Sequence, residues 1–316
     1  MAKYVLRKLL FMIPMLFIIS ILVFFGLQLM PVDPINYMIS PDMAVDTSQL
    51  NTLRESLGLN DPLIVRYFRW VFQIIKGDFG YSIVTGSPII NIIKQTLPAT
   101  FELALVALIL STILGIVIGM IAAVNQNGII DNIARFFSVL GAAIPRFFFG
   151  ILILSFFALK LKILPIGGRI PSANVGTLER IKYLILPACT MALTLTSALV
   201  RYTRNSMLDV FNADYVKTAR AKGVPEWKVY VKHIFRNALR PITVLLIFRL
   251  PMLIGGSVII ETIFSWPGIG RVMLASVTSG DYPVIMVTTL MIAVVILFVS
   301  LLVDIVAALL DPRIRY

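Results

Sequence analysis

Long uninterrupted apolar stretches constrain this chain more than any other feature. Six of them can cross the hydrocarbon core of a membrane, which takes about 20 helical residues. They lie near residues 9–30, 99–124, 133–159, 184–203, 241–263 and 284–308. Because lipid offers the backbone no hydrogen-bond partner, a crossing segment forms a helix or joins a closed barrel. No strand-like alternation is present, so the sequence predicts an all-α, polytopic membrane protein. We expect six transmembrane helices in one domain over residues 1–316.

The composition supports the membrane assignment. Hydrophobic residues make up 59% of the chain and charged residues 14%, whereas a soluble protein is about half apolar and about a quarter charged. The first stretch follows Lys3, Arg7 and Lys8, an order that is also typical of a secretory signal. We predict a retained span, because 9–30 is longer than the apolar core of a signal and no small-residue cleavage site follows it.

The charge of the chain predicts its topology. The net charge is +12, and segment 201–240 holds nine Lys and Arg residues against three acidic ones. The loop 31–98 holds five basic residues against six acidic ones. Cytoplasmic loops accumulate Lys and Arg, so we place 201–240 in the cytoplasm rather than on a nucleic acid. Six spans then put both termini on the cytoplasmic side of the membrane.

Two single residues bear on the possible chemistry. The one cysteine, Cys189, lies inside a span, and the one histidine, His233, lies in the basic segment. The sequence therefore predicts no disulfide within the chain and no zinc or iron site built by it. A membrane-embedded hydrolase is disfavoured as well, because no cysteine lies near His233 in sequence.

The outer loop 31–98 is predicted to be structured. Pro62 opens a helix that Gly77 ends, and a shorter capped helix near 47–57 precedes it. The helix between Pro62 and Gly77 has basic residues on one face and mostly apolar residues on the other. We expect it to lie flat on the outer membrane surface or on the rim of the helix bundle.

Small and hydroxyl side chains recur on two spans. Gly115, Gly119 and Ala123 follow each other at intervals of four, a spacing that lets another helix approach closely. Hydroxyl groups and one arginine share a face of the fourth span, namely Thr190, Thr194, Ser197 and Arg201. This face either lines a solute path or bonds to neighbouring helices, and both interpretations stay open.

Charged residues at membrane depth are candidates for function. Arg249 and Asp304 lie about 12 Å and about 10 Å inside the same membrane face, which predicts a buried ion pair. Arg146 follows Pro145 about 20 Å inside, with no acidic residue at its depth. Arg146 either faces a water-filled path and attracts a carboxylate, or reaches carbonyl groups freed by Pro145. Both interpretations stay open.

The segment 201–240 contains the most informative motif. Helical periodicity runs to Gly223, and Pro225 can open a second helix. Such a hairpin is too short for an enzyme but suits a groove in another protein. The alternative is a basic anchor to anionic lipid. The order of Gly223, Pro225 and Trp227 favours docking, because a basic anchor needs no such order.

This segment resembles the EAA loop of ABC-importer permeases. Lys217-Thr218-Ala219 and Gly223 match its spacing, although Lys217 and Thr218 replace the family-wide glutamate and first alanine. The form found here is similar to that of the dipeptide/oligopeptide/nickel branch. Further runs resemble the same branch, namely 57–62, 77–82, 236–241, 261–270, 281–283 and 304–316.

The resemblance implies a type I ABC-importer permease fold and a set of partners. These are a homologous second permease, two ATPase subunits that bind ATP and Mg²⁺, and an external solute-binding protein. The chain itself has no nucleotide-binding loop, so it is expected to be neither an enzyme nor a cofactor-binding subunit. Docking to the ATPase is implied for Asp214, Tyr215, Lys217, Thr218, Ala219, Arg220, Ala221, Lys222, Gly223, Val224, Pro225 and Trp227.

The implied mechanism is alternating access with short peptides as the solute. Nickel chelates and oligosaccharides are the alternatives, since the branch uses one scaffold for all three. A secondary transporter is disfavoured, because the sequence shows neither inverted repeats nor intramembrane acids for ion coupling.

Overall fold

The structure is a computed structural model that describes residues 2–29, 60–169, 176–255 and 257–310. These residues are almost entirely helical, and their only β-type contact is an isolated bridge between Tyr81 and Pro88. The helices are α1 Ala2–Gln28, α2 Leu63–Ile75, α3 Ile89–Val124, α4 Ile129–Ala143, α5 Arg146–Ile153, α6 Thr177–Phe211, α7 Asp214–Ala221, α8 Glu226–Lys228, α9 Arg236–Gly255, α10 Val258–Ile263, α11 Ile269–Ser279 and α12 Tyr282–Leu310. π-Helical segments extend α5 over Leu154–Lys160 and join α8 to α9 over Val229–Phe235. The all-α prediction is confirmed.

The helices account for most of the predicted spans. Of the described helices, α1, α3, α6 and α12 are long and apolar enough to cross a membrane, and α4 with α5 makes a fifth if the bent pair is one span. The predicted stretch 241–263 is divided between α9 and α10. The predicted number of six spans is therefore not confirmed. The expected helix near 47–57 lies outside the described residues.

The third predicted span, 133–159, has a corner at Pro145, the residue at which the sequence allows the helix to break. α4 and α5 are bent by 105° at Ile144 and Pro145. Proline disfavours helical geometry in the residue before it, and Ile144 has the extended angles φ −73° and ψ 125°. The corner leaves Arg146 as the first residue of α5.

The chain divides into two compact units. One consists of Met1–Ala99 with Gly268–Phe298, and the other of Thr100–Pro267 with Val299–Tyr316. In the first unit, α2 confirms the helix predicted after Pro62. Its Tyr67 is buried among aromatic rings of α1, and the Tyr67 hydroxyl lies 2.8 Å from that of Ser20. Ser20 is eight residues before the end of α1, so α2 packs beside the last 12 Å or so of α1.

The first unit also joins two motifs that are far apart in the sequence. The Ser82 hydroxyl donates to Asp281 Oδ2, and the Ile83 amide donates to Asp281 Oδ1 at 3.3 Å. Ile89 and Val284 belong to an apolar cluster beside this contact. The two loop motifs that carry the family resemblance therefore form one buried polar contact.

In the second unit, α6 is the central helix, against which α4, α5 and α9 pack. The close approach predicted from the small residues of α3 is present as well. A Cβ atom at Gly119 would lie 2.7 Å from Thr203 Cβ and 2.8 Å from the Val200 carbonyl oxygen, and a Cβ at Gly115 would collide with Leu199. The helix-packing interpretation of these glycines is confirmed.

Substitution of Gly119 by leucine is expected to destabilise the subunit by about 1–3 kcal/mol, because the added side chain has no room beside α6. The thermal stability of the purified complex measures this effect. Gly26→Leu is the matched control, since nothing lies within 4 Å of a Cβ at that position of α1. Equal losses from the two variants would contradict the close contact.

Candidate functional site

The hairpin predicted in the basic segment is present. α7 ends at Ala221, and Gly223 then adopts a left-handed φ of +73°. The Gly223 amide donates to the Arg220 carbonyl at 2.9 Å, and Pro225 precedes α8. The second helix of the hairpin continues through the π-helical segment into α9. The hairpin is thus directly continuous with a helix of the membrane region.

The inner face of the hairpin is apolar and buried. Val216 and Ala219 of α7 pack with Val229 and Ile234 against residues of α6 and α9. Ala219 therefore contributes to the core of the hairpin, and its methyl group is only 6% exposed. This packing fixes the orientation of the hairpin relative to α6.

The outer face of the hairpin is exposed and carries the other docking residues implied by the resemblance. Tyr215 and Trp227 are exposed aromatic residues, with 64% of Trp227 accessible. Val224 is half-buried. The remaining residues of this face are exposed, namely Asp214, Lys217, Thr218, Arg220, Ala221, Lys222, Gly223 and Pro225. Exposed aromatic side chains amid basic ones are typical of a protein-docking surface.

An ion pair closes the turn at Gly223. Arg220 Nε donates to Glu226 Oε1 at 2.9 Å, and the hydrogen bond to Glu226 raises the pKa of Arg220. Sequence reasoning did not select Glu226, although its position six residues after Arg220, across a Gly-Pro turn, is a usable signal. The pair is exposed, so it adds more to the definition of the turn than to stability.

A buried ion pair connects α4 to α6. Asp131 is 0% exposed and accepts hydrogen bonds from Arg204 Nε and, at 2.7 Å, from Arg204 Nη2. The Asn127 amide also donates to Asp131 Oδ2 at 2.9 Å. Arg204 lies ten residues before Asp214, so this pair fixes the end of α6 that leads into the hairpin. Sequence reasoning missed this pair, because 73 residues separate its members.

The hydroxyl face of α6 divides into two parts. Thr190 Oγ1 and Ser197 Oγ are buried and donate to carbonyl groups of their own helix, facing Gly150 of α5 and Gly141 of α4. These two hydroxyl groups therefore lie at contacts between helices. Thr194 is different, because its Oγ1 accepts a hydrogen bond from Arg146 Nε at 3.1 Å. The structure thus unites two of the predicted path residues.

Arg249 is a half-buried residue of α9. Arg249 Nη1 donates to Met252 Sδ at 3.6 Å. The ion pair between Arg249 and Asp304 stays a prediction.

The chain is thus an apolar, polytopic helical protein with a hairpin whose inner face is packed and whose outer face is exposed. A family model described as binding-protein-dependent transport system inner membrane component matches residues 115–316, and its N-terminal counterpart matches residues 1–104. The chain belongs to this family. The predicted relationship to permease subunits of ABC importers is confirmed.

Similar proteins extend this result over the whole chain. The oligopeptide transport system permease protein AppB of Bacillus subtilis is 41% identical over 100% of both chains. The glutathione transport system permease protein GsiC of Salmonella typhimurium is 35% identical over the same share. A solved structure of the MetNI methionine ABC transporter has a TM-score of 0.56 and 15% identity, covering 71% of this chain and 98% of the solved one. That structure supports the fold. The protein is a membrane-spanning permease subunit of an ABC importer.

Proposed function

We propose that this permease imports short peptides together with a homologous second permease, two ATPase subunits and an external solute-binding protein. The names of the full-length relatives support the solute class, since one transports oligopeptides and another glutathione. The family name supports the dependence on a binding protein.

The exposed aromatic pair on the hairpin carries the proposal for coupling. Tyr215 and Trp227 project from a turn whose other face is packed against α6. A groove of the ATPase that holds these side chains moves the hairpin with it. Because the hairpin packs on α6, α6 moves as well. ATP and Mg²⁺ bind to the ATPase, and their turnover biases a two-state equilibrium of the permease through differential contacts with the hairpin. In this arrangement the hairpin and both termini face the cytoplasm.

Reconstitution of the assembled complex in proteoliposomes tests the proposal. Uptake of a labelled short peptide is expected to require ATP and the loaded binding protein, and a nickel chelate or an oligosaccharide is expected not to accumulate. Uptake that follows a proton or sodium gradient without ATP would identify a secondary transporter. ATP-dependent uptake of only the chelate or the sugar would contradict the solute class.

A further inference from the structure

Two basic residues in the turn of the hairpin are paired with acidic ones. Lys217 Nζ lies 3.2 Å from Asp214 Oδ1, and Arg220 Nε lies 2.9 Å from Glu226 Oε1. These pairs balance much of the positive charge around the turn, where the exposed aromatic residues project. The turn therefore presents aromatic rings and paired charges to its surroundings.

The second arm of the hairpin, which runs from the π-helical segment Val229–Phe235 into α9, is different. Its basic residues Lys232 and Arg236 are exposed, and neither belongs to an ion pair among the described residues. The sequence from 227 to 260 contains no Asp or Glu, so the arm supplies no counter-charge of its own. Residues four apart are neighbours on a helix surface, so the arm presents two adjacent positive charges.

The orientation of the arm is fixed by its opposite face. Val229 and Ile234 are fully buried in the apolar cluster that the hairpin shares with α6 and α9. The arm therefore cannot turn its basic side chains toward the core of the unit without exposing this apolar face.

The arm leads directly into the membrane region. The apolar stretch predicted at 241–263 begins five residues after Arg236, about 8 Å along the helix, and nine residues after Lys232, about 13 Å. The headgroup layer on each side of the hydrocarbon core is about 5–8 Å thick. Long basic side chains extend their charges toward a membrane surface while their stems stay on the helix. Arg236 therefore reaches the headgroup layer, and Lys232 lies just outside it.

We propose that Lys232 and Arg236 bind the headgroup phosphate of an anionic phospholipid. A guanidinium binds a phosphate with two parallel hydrogen bonds, and a basic cluster beside a membrane-entering helix attracts anionic lipid. The occupant is a lipid because the two unpaired charges lie where the arm enters the membrane region. Docking to a protein and attraction to lipid then apply to different faces of the hairpin, the turn and the arm.

Photo-crosslinking identifies what covers the arm. A benzophenone amino acid replaces Val231, which precedes Lys232 and is 50% exposed. The assembled complex is irradiated in vesicles made of equal parts phosphatidylcholine and phosphatidylglycerol. The adduct is expected to contain mainly phosphatidylglycerol. An adduct that contains mainly the ATPase, or both lipids equally, would overturn the proposal.

Binding of fluorescent phosphatidylglycerol to the purified complex in detergent micelles measures the contribution of each charge. Arg236→Gln is expected to weaken binding about fivefold, since a basic residue near the membrane surface contributes about 1 kcal/mol. Lys232→Gln is expected to have a smaller effect, because its charge lies farther from the headgroups. Arg236→Lys keeps the charge and should retain most of the affinity. Lys182→Gln is the control, since it removes an exposed lysine near the start of α6, at the end opposite the hairpin.

The same complexes give the results that would overturn the site. Both basic side chains are exposed, so the glutamine variants should keep the native thermal stability. Native affinity for phosphatidylglycerol in the double variant, or an equal loss in Lys182→Gln, would show that the arm is not the lipid site. Displacement of the lipid by an equal concentration of inorganic phosphate would show that any phosphate suffices. Loss of binding-protein-stimulated ATP hydrolysis with unchanged lipid affinity would assign the arm to the ATPase.

Discussion

Replacement of Arg204 by alanine is expected to lower the free energy of unfolding of the subunit by about 3–5 kcal/mol. Arg204 supplies two hydrogen bonds to Asp131, whose side chain is fully buried. Without the guanidinium, the carboxylate either stays ionised with too few partners or takes up a proton. Both outcomes cost free energy, because a buried charge needs a partner. Thermal unfolding of the assembled complex measures the loss.

The chain offers a matched control one helical turn away. Arg135 is also an arginine near Asp131, but its Nε lies 3.9 Å from Asp131 Oδ1 and half of its side chain is exposed. Exposed pairs are worth about 0–1 kcal/mol, so Arg135→Ala is expected to have little effect. A double variant, Asp131→Asn with Arg204→Met, is expected to be more stable than Arg204→Ala. Equal losses from Arg204→Ala and Arg135→Ala would show that the buried pair has no special weight.

The Asp131–Arg204 pair also connects the hairpin to α4. The hairpin packs on α6, and the pair joins α6 to α4. α4 ends at the corner beside Arg146. Successive contacts within the second unit therefore join the hairpin to this corner.

The sequence predicted those features that depend on local rules. The apolar stretches had to be helical because lipid leaves the backbone no other partner. The corner at Pro145 and the turn at Gly223 follow from the conformational limits of proline and the freedom of glycine. The helix boundaries were less accurate, and the predicted span 241–263 is divided between α9 and α10.

The sequence did not predict contacts between distant segments. Asp131 and Arg204 are 73 residues apart, and Ser82 and Asp281 are 199 residues apart. Periodicity assigns a residue to a face of its own helix, but it does not identify the helix opposite. Asp131 lies at the start of a span, where an exposed polar residue is ordinary. Only its complete burial shows that it needs a partner.

The largest functional loss is expected from replacing Trp227 by alanine. If this exposed indole occupies a pocket of the ATPase subunit, its removal costs about 2 kcal/mol or more of binding, roughly a thirtyfold weaker contact. ATP hydrolysis should then no longer respond to the loaded binding protein, and peptide uptake should fall with it. The subunit itself should stay as stable as the native one, because 64% of Trp227 is exposed and little of its side chain packs against the rest of the subunit.

Three further variants separate docking from folding. Phe136→Ala removes an aromatic side chain of similar exposure, 63%, from α4 and should leave coupling intact. Ala219→Glu places a carboxylate in the core of the hairpin and should lower thermal stability as well as transport. Gly223→Val forces a branched residue into a left-handed conformation and should distort the turn that presents Trp227. A Trp227→Ala complex that still hydrolyses ATP in response to loaded binding protein would exclude the indole from the docking surface. A Gly223→Val complex that did the same would show that the shape of the turn does not matter for coupling.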